Sequence, residues 1–293
     1  MDAVLNGLAA SPQPQRTAQG LSRLQHLIER SKRLVVLTGA GCSTSSGIPV
    51  YRDEQRRWKG AQPMLYEEFV ADPVARQRYW ARSLAGFERI ASARPNAAHF
   101  ALAELEARGR IELLITQNVD GLHGRAGSKN VLELHGGLQD VVCLGCRARS
   151  ARGALQARLK ALNPDWAGLT GPLRPDGDAE LEVRAYHEFA VPDCSICGGV
   201  LKPDVVFFGE AVPKPRAARA LNGVREADAV LVVGSSLTVL SGFRLAREAS
   251  RLGIPVAAIN RGSTRADPFL DPKIDSGCEH ALEALATALA SAA

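Results

Sequence analysis

Two cysteine pairs of identical spacing, Cys143-x-x-Cys146 and Cys194-x-x-Cys197, constrain this chain more tightly than anything else in it. They offer four soft thiolates in two knuckles, the ligand set of a tetrahedral structural zinc site. Gly145, Gly198 and Gly199 supply the freedom such tight turns need. The 47 residues between Cys146 and Cys194 exceed a zinc ribbon's usual gap, so the chain must leave the knuckles and return. Four free buried thiols would leave the repeated spacing without a reason. A zinc ion held by Cys143, Cys146, Cys194 and Cys197 has no open position, so its expected role is folding rather than catalysis.

The rest of the chain has a different rhythm. Leu21, Leu24, Leu27 and Ile28 carry the spacing of an amphipathic helix, and residues 34–37 then form a short apolar run ending in Gly39-Ala40-Gly41. Similar runs recur at 113–115, 230–233 and 256–259 with helical stretches between them. Strands alternating with helices predict an α/β fold, a Rossmann-like parallel sheet with helices on both faces. Residues 56–94 and 143–199 break the alternation. The expected organisation is a Rossmann domain in three parts, 1–55, 95–140 and 201–293. A helical insertion at 56–94 and a zinc-binding insertion at 141–200 would make a smaller domain. Inside the latter, Gly171-Pro172-Leu173-Arg174-Pro175-Asp176-Gly177-Asp178 is rich in turn formers and reads as an exposed loop.

A length of 293 residues suffices for one large core carrying a smaller lobe. The net charge of +5 comes from arginines scattered along the chain, so it implies only a weak preference for anionic partners and no specific nucleic acid. No run of 18 apolar residues is present, and the first residues lack a secretory pattern, so no membrane association is expected. Arg16, Arg23, Arg30 and Arg33 invite a mitochondrial-presequence reading, with the matrix as the alternative location. Asp2 and Glu29 argue against it, and a bacterial cytoplasmic protein is expected. Paired cysteines used for metal rather than disulfides agree with that compartment.

Chemistry concentrates at strand ends. The turn Gly39-Ala40-Gly41-Cys42-Ser43 lets backbone approach a pyrophosphate closely, with the N–H groups of the next element facing the charge. Thr44 stands where a dinucleotide fingerprint has its third glycine, and no acidic residue follows at the required distance, so a hydride-transferring enzyme fits poorly. Gly234-Ser235-Ser236 and Asn260 end two further strands, on the edge where open α/β sheets hold phosphate and ribose hydroxyls. Gln117, Asn118 and Asp120 follow the strand at 113–115; Asn118 and Asp120 can orient an amide or a sugar hydroxyl. His135, in Glu133-Leu134-His135-Gly136, can act as a general base near neutrality.

Taken together these motifs resemble the sirtuin family over residues 34–278. The resemblance is carried by Gly39-Ala40-Gly41-Cys42-Ser43 with Ser46-Gly47-Ile48-Pro49 and Arg52, by Thr116-Gln117-Asn118-Val119-Asp120, and by His135-Gly136. Both cysteine pairs, Lys202-Pro203-Asp204-Val205-Val206-Phe207-Phe208-Gly209-Glu210, Gly234-Ser235-Ser236 and Asn260 complete it. The long gap between knuckles, Tyr79-Trp80-Ala81-Arg82, Asn163-Pro164, Pro175-Asp176-Gly177-Asp178 and Thr264-Arg265 resemble the class II subgroup, which has a mitochondrial animal member and bacterial relatives.

That resemblance implies an NAD-dependent protein lysine deacylase, in which NAD is a consumed co-substrate and one zinc ion is structural. His135 would be the base, with Asn118 and Asp120 holding the nicotinamide amide and ribose. Gly39, Ala40, Gly41, Ser43, Arg52, Gln117, Gly234, Ser235, Ser236, Asn260 and the backbone at Cys278 would complete the NAD contacts. An acyl-lysine protein or peptide would lie as an added strand between residues 205–210 and the loop after Ser236, touching Val205, Val206, Phe207, Gly209 and Glu210. Val50 departs from the family, where aspartate is common. Tyr79 and Arg82 resemble a pair that selects acidic acyl groups, although a helix face packed on the core is the slightly preferred reading. A monomer is expected. Two other readings remain at this point: mono-ADP-ribosyl transfer from the same NAD site, and a zinc-knuckle nucleic-acid-binding or scaffold protein.

Overall fold

The computed structural model describes residues 13–182 and 185–291. Its elements run α1 (Gln13–Arg30), β1 (Leu34–Thr38), α2 (Tyr66–Ala71), α3 (Pro73–Ser92), α4 (Ala97–Ala107), β2 (Ile111–Thr116), α5 (Leu122–Arg125) and β3 (Val131–Glu133). They continue with β4 (Gly136–Cys143), β5 (Arg149–Ala151), α6 (Arg152–Leu162), β6 (Leu201–Val205), α7 (Lys214–Glu226), β7 (Ala229–Val233), α8 (Leu240–Arg251), β8 (Val256–Ile259), β9 (Lys273–Ile274) and α9 (Cys278–Ser291).

Six strands form one parallel sheet in the order β3-β2-β1-β7-β8-β9. Its central strands β1, β7 and β8 are buried along their whole length because both faces are covered. Alternation along β1 shows how: Leu34 and Val36 join the core made with α1, α4 and α9, whereas Val35 and Leu37 join the core made with α7 and α8. The chain runs outward from β1 through β2 to β3, then returns to β7 on β1's other side. The reversal of strand order therefore falls between β1 and β7. Ligands of open α/β sheets lie beyond the strand C-termini at that point.

The smaller lobe is built on an antiparallel sheet in the order β5-β4-β6. Its core gathers Phe69, Tyr79, Trp80, Leu84 and Ile90 of the first insertion with Leu138, Val141, Leu155, Leu159, Phe189 and Leu201. The helix α3 starts where Asp72 accepts the Val74 N–H at 2.8 Å and Pro73 takes the first turn. Strand β4 begins at Gly136 and β6 ends at Val205, so the small sheet takes in residues on both sides of 141–200. Residues 136–140 and 201–205 read GGLQD and LKPDV and carry no apolar run, so sequence pattern does not mark them as strands of this sheet.

The expectation of an exposed loop at 171–178 is corrected. The segment is irregular, but Gly177 and Asp178 are buried against α3. The Ala179 N–H donates to the Arg82 carbonyl at 3.0 Å, the Arg82 Nε donates to the Ala179 carbonyl at 3.2 Å, and Asp178 pairs with Arg82 at 3.8 Å. What admits the loop is Gly86: a Cβ there would collide with the Gly177 carbonyl.

Candidate functional site

A cleft of ≈ 1550 Å³ opens at the C-terminal ends of β1 and β7. Two glycine turns form its floor. The Gly41 N–H donates to the Gly234 carbonyl at 2.8 Å, and the Gly39 N–H to the Val233 carbonyl at 3.0 Å. They approach so closely that a Cβ on Gly39 would lie 2.7 Å from the Ser235 Cβ, and one on Gly41 2.9 Å from the Gly234 Cα. Beyond β1 the chain makes two short 3-10 turns, Ala40–Cys42 and Thr44–Ser46, rather than the helix such a turn usually opens. Any anion here meets turn N–H groups and no full helix dipole.

Beside this floor, Ser43, Asn118 and Asp120 form a polar cluster. The Asn118 Nδ2 donates to the Ser43 Oγ at 2.9 Å and to the Gly39 carbonyl at 3.1 Å. Ser43 in turn donates to the Asp120 carboxylate at 2.8 Å, which also accepts the Leu122 N–H at 2.9 Å. Gln117 ties the two halves of the sheet together by donating to the Ser235 Oγ at 2.8 Å and the Thr38 carbonyl at 3.2 Å. Asn260 is 7% exposed and anchored to the Arg261 carbonyl, so its side chain is pre-set at the edge of the cleft. Arg52 stacks on Trp58, 3.7 Å from the ring centroid, and donates to the Arg56 carbonyl at 2.8 Å. Ala40, Ser236 and Cys278 also line the cleft, so every residue expected to contact NAD faces one space.

His135 stands across from that cluster. Its Nδ1 lies 2.9 Å from the Gln117 carbonyl and its Nε2 2.7 Å from the Ser241 Oγ. A carbonyl only accepts, so the proton sits on Nδ1 and the Nε2 lone pair is the basic one. Burial pushes the His135 pKa below its ordinary value, and the Arg216 charge adds to that, against the opposing pull of the Gln117 carbonyl. Ser241, in the first turn of α8, carries no motif and was not read from the sequence.

The expected substrate wall is divided. Val206, Phe207, Gly209 and Glu210 line the cleft, whereas Val205 is packed in the small lobe's core at the end of β6. The Glu210 carboxylate accepts the Phe207 N–H at 2.9 Å and pairs with the buried Lys202 at 3.1 Å, so it shapes this wall from within. Tyr79 and Arg82 do not reach the cleft. Tyr79 is 4% exposed and packs against Phe207, 5.2 Å between ring centroids, while Arg82 is committed to Asp178 and Ala179.

The four knuckle cysteines converge at one end of the small sheet, with their sulfurs within 4.8 Å of one another. Cys143 and Cys197 are 3.5 Å apart and Cys146 and Cys194 3.8 Å. Zinc–sulfur bonds of ~2.3 Å give tetrahedral edges of ~3.8 Å, so the set fits zinc. A Cβ on Gly199 would stand 2.9 Å from the Cys143 sulfur, which explains the glycine there.

A parallel sheet with its strand-order reversal under a cleft of this polarity, joined to a four-cysteine lobe, defines an NAD-binding enzyme of the sirtuin type. The Sir2 family model matches residues 39–241, and the chain belongs to that family. A relative from Xanthomonas campestris pv. campestris (strain 8004), named NAD-dependent protein deacetylase, is 56% identical over 259 residues, 88% of each chain. One of the same name from Bordetella bronchiseptica is 52% identical over 262 residues, covering 89% of this chain and 96% of that one. A solved complex of Sir2 with a p53 peptide and NAD+ superposes with a TM-score of 0.73 at 29% identity, covering 92% of this chain and 98% of the other.

Proposed function

We propose that this chain is an NAD-dependent protein lysine deacylase. The reaction transfers the acyl group from lysine to the ADP-ribose part of NAD, releasing nicotinamide and O-acyl-ADP-ribose. NAD is thus a substrate, and the zinc ion is structural. The observation that carries the reading is a neutral imidazole, His135 with Nε2 as its basic atom, in the same cleft as the Asn118–Ser43–Asp120 cluster.

Each residue then has a task. Asn118 and Asp120, fixed by Ser43, orient the nicotinamide ribose and amide; Gln117, Ser235, Ser236 and Asn260 take the remaining hydroxyls and phosphates. Gly39, Ala40, Gly41 and Gly234 let the backbone approach the pyrophosphate, with Arg52 beside it and the Cys278 backbone at the adenine. His135 removes a proton from a ribose hydroxyl at Nε2, and the Gln117 carbonyl holds the tautomer that makes this possible. The acylated peptide lies along residues 206–210, main chain to main chain. Ile48, Val119, Leu138 and Phe207 give the cleft an apolar stretch that suits a neutral acyl group. The bacterial relatives support a cytoplasmic site of action.

The test is a panel of acetyl-, longer acyl-, lipoyl- and succinyl-lysine peptides with NAD+, following peptide mass and nicotinamide together. Loss of a neutral acyl group coupled to nicotinamide supports the reading. A gain of ADP-ribose mass on protein, with no deacylation, overturns it.

A further inference from the structure

Besides the knuckle cysteines, the described residues contain one other cluster of metal-ligating side chains. Cys42, His99 and His123 present one donor atom each within 4.8 Å of one another, and all three are at most 2% exposed. They come from separate elements: the turn after β1, the first turn of α4, and α5. Asn96 fixes two of them, since its Nδ2 donates to the Cys42 carbonyl at 2.9 Å and its Oδ1 lies 2.9 Å from the His99 Nδ1.

Each imidazole keeps one ring nitrogen without a close hydrogen-bond partner. Two groups meet the His99 Nδ1, the Asn96 Oδ1 at 2.9 Å and the Asn96 backbone N–H at 3.3 Å; an amide oxygen only accepts, so the shorter contact places the imidazole proton on Nδ1. The only polar neighbour of its Nε2 is the Ser43 Oγ at 3.5 Å, whose single proton is given to Asp120. His123 spends its Nε2 on the Thr38 Oγ1 at 2.9 Å, and its Nδ1 is buried without a partner. A buried ring nitrogen with nothing to bond is costly and calls for an explanation. Cys42 also borders the cleft, so the cluster lies directly beneath its floor.

We propose that Cys42, His99 and His123 form a second metal site, a one-thiolate, two-imidazole set for a single Zn²⁺ ion entering through the floor of the cleft. Three protein ligands leave the fourth position to water. Bonds of ~2.0–2.3 Å draw the donors to edges of about 3.5 Å, a contraction of roughly 1 Å. The Cys42 proton is released to solvent on binding. The hydrogen bond from His99 Nδ1 to Asn96 is the outer contact that orients a metal-binding imidazole. Because Cys42 adjoins Ser43, an ion here disturbs the Asn118–Ser43–Asp120 cluster. This consequence, inhibition of nicotinamide release, rests on the deacylase reading; binding itself does not.

Zinc counting on the full chain tests the site without any turnover. After equilibrium dialysis against buffered Zn²⁺, elemental analysis is expected to find two ions per wild-type chain, and one after mild chelation. Cys42→Ser and, as a second variant should the first fold poorly, His123→Gln are expected to stop at one. With Co²⁺, the second equivalent should add the visible bands of a tetrahedral ion with one thiolate, absent from Cys42→Ser. Saturation of the wild type at one ion, or two ions retained in both folded variants, overturns the proposal.

Discussion

The Nδ1 of His135 lies 2.9 Å from the carbonyl oxygen of Gln117, a residue whose side chain bonds both the β1 end and Ser235 beyond β7. The base is thus oriented by the segment that also shapes the NAD wall, and its tautomer is set by a backbone group that cannot titrate. His135→Ala should lower kcat about 10²–10⁴-fold, the usual worth of a positioned base. Zinc content and melting temperature should stay near wild type. Near wild-type turnover would remove His135 as the base.

The pH dependence has a definite sign. Burial lowers the His135 pKa from the ordinary 6.5, so the imidazole stays unprotonated further into acid than a free one. The active form is the unprotonated one. The acid limb of kcat/KM should therefore fall with a midpoint below 6.5, and activity should be level across neutrality on that side. A limb centred above 6.5 would contradict the burial argument.

Gly234 has φ +61°, and a Cβ there would lie 2.7 Å from the Gly41 carbonyl carbon and 2.9 Å from the Cys278 sulfur. Gly234→Ala should push the two floor turns apart, destabilising the fold by about 1–3 kcal/mol and weakening NAD binding. Calorimetric titration with NAD+ and a denaturant melt check the two effects separately.

Cys194→Ser removes one thiolate from a closed four-ligand site. Loss of the structural zinc and a lower, broader melt should follow, because metal binding and folding of this lobe are coupled. Unchanged metal content and melting would defeat the structural-zinc assignment.

Arg82 offers a contrast between selectivity and stability. Arg82→Ala removes the cation beside the buried Asp178, whose pKa burial already holds well above its ordinary value, together with the hydrogen bond to the Ala179 carbonyl, and should cost about 1–3 kcal/mol. The ratio of desuccinylation to deacetylation should not move, since neither Tyr79 nor Arg82 lines the cleft. A selective loss of desuccinylation would place Arg82 at the acyl group after all.

Much of the site was legible because its chemistry sits in contiguous turns. Gly39-Ala40-Gly41, Gly234-Ser235-Ser236 and Asn260 each end an apolar run, and parallel strands gather such ends on one edge without help from long-range detail. Ser241 was invisible, since a serine opening an amphipathic helix has no local mark, and only folding brings it to His135. The burial of Gly177 and Asp178 was missed for a similar reason. Turn formers report irregular backbone, not exposure, and the partner signal was Gly86, an isolated glycine inside a helical pattern. Cys42, His99 and His123 lie on three elements, and nothing in their spacing links them.

The most direct test of the central claim is the stoichiometry of products from one acetyl-lysine peptide, with nicotinamide, free lysine peptide and O-acetyl-ADP-ribose measured in the same quenched samples. The account predicts that the three rise together, one to one to one, and that His135→Ala suppresses all the acyl-transfer product. Nicotinamide released with plain ADP-ribose and an untouched peptide would contradict it.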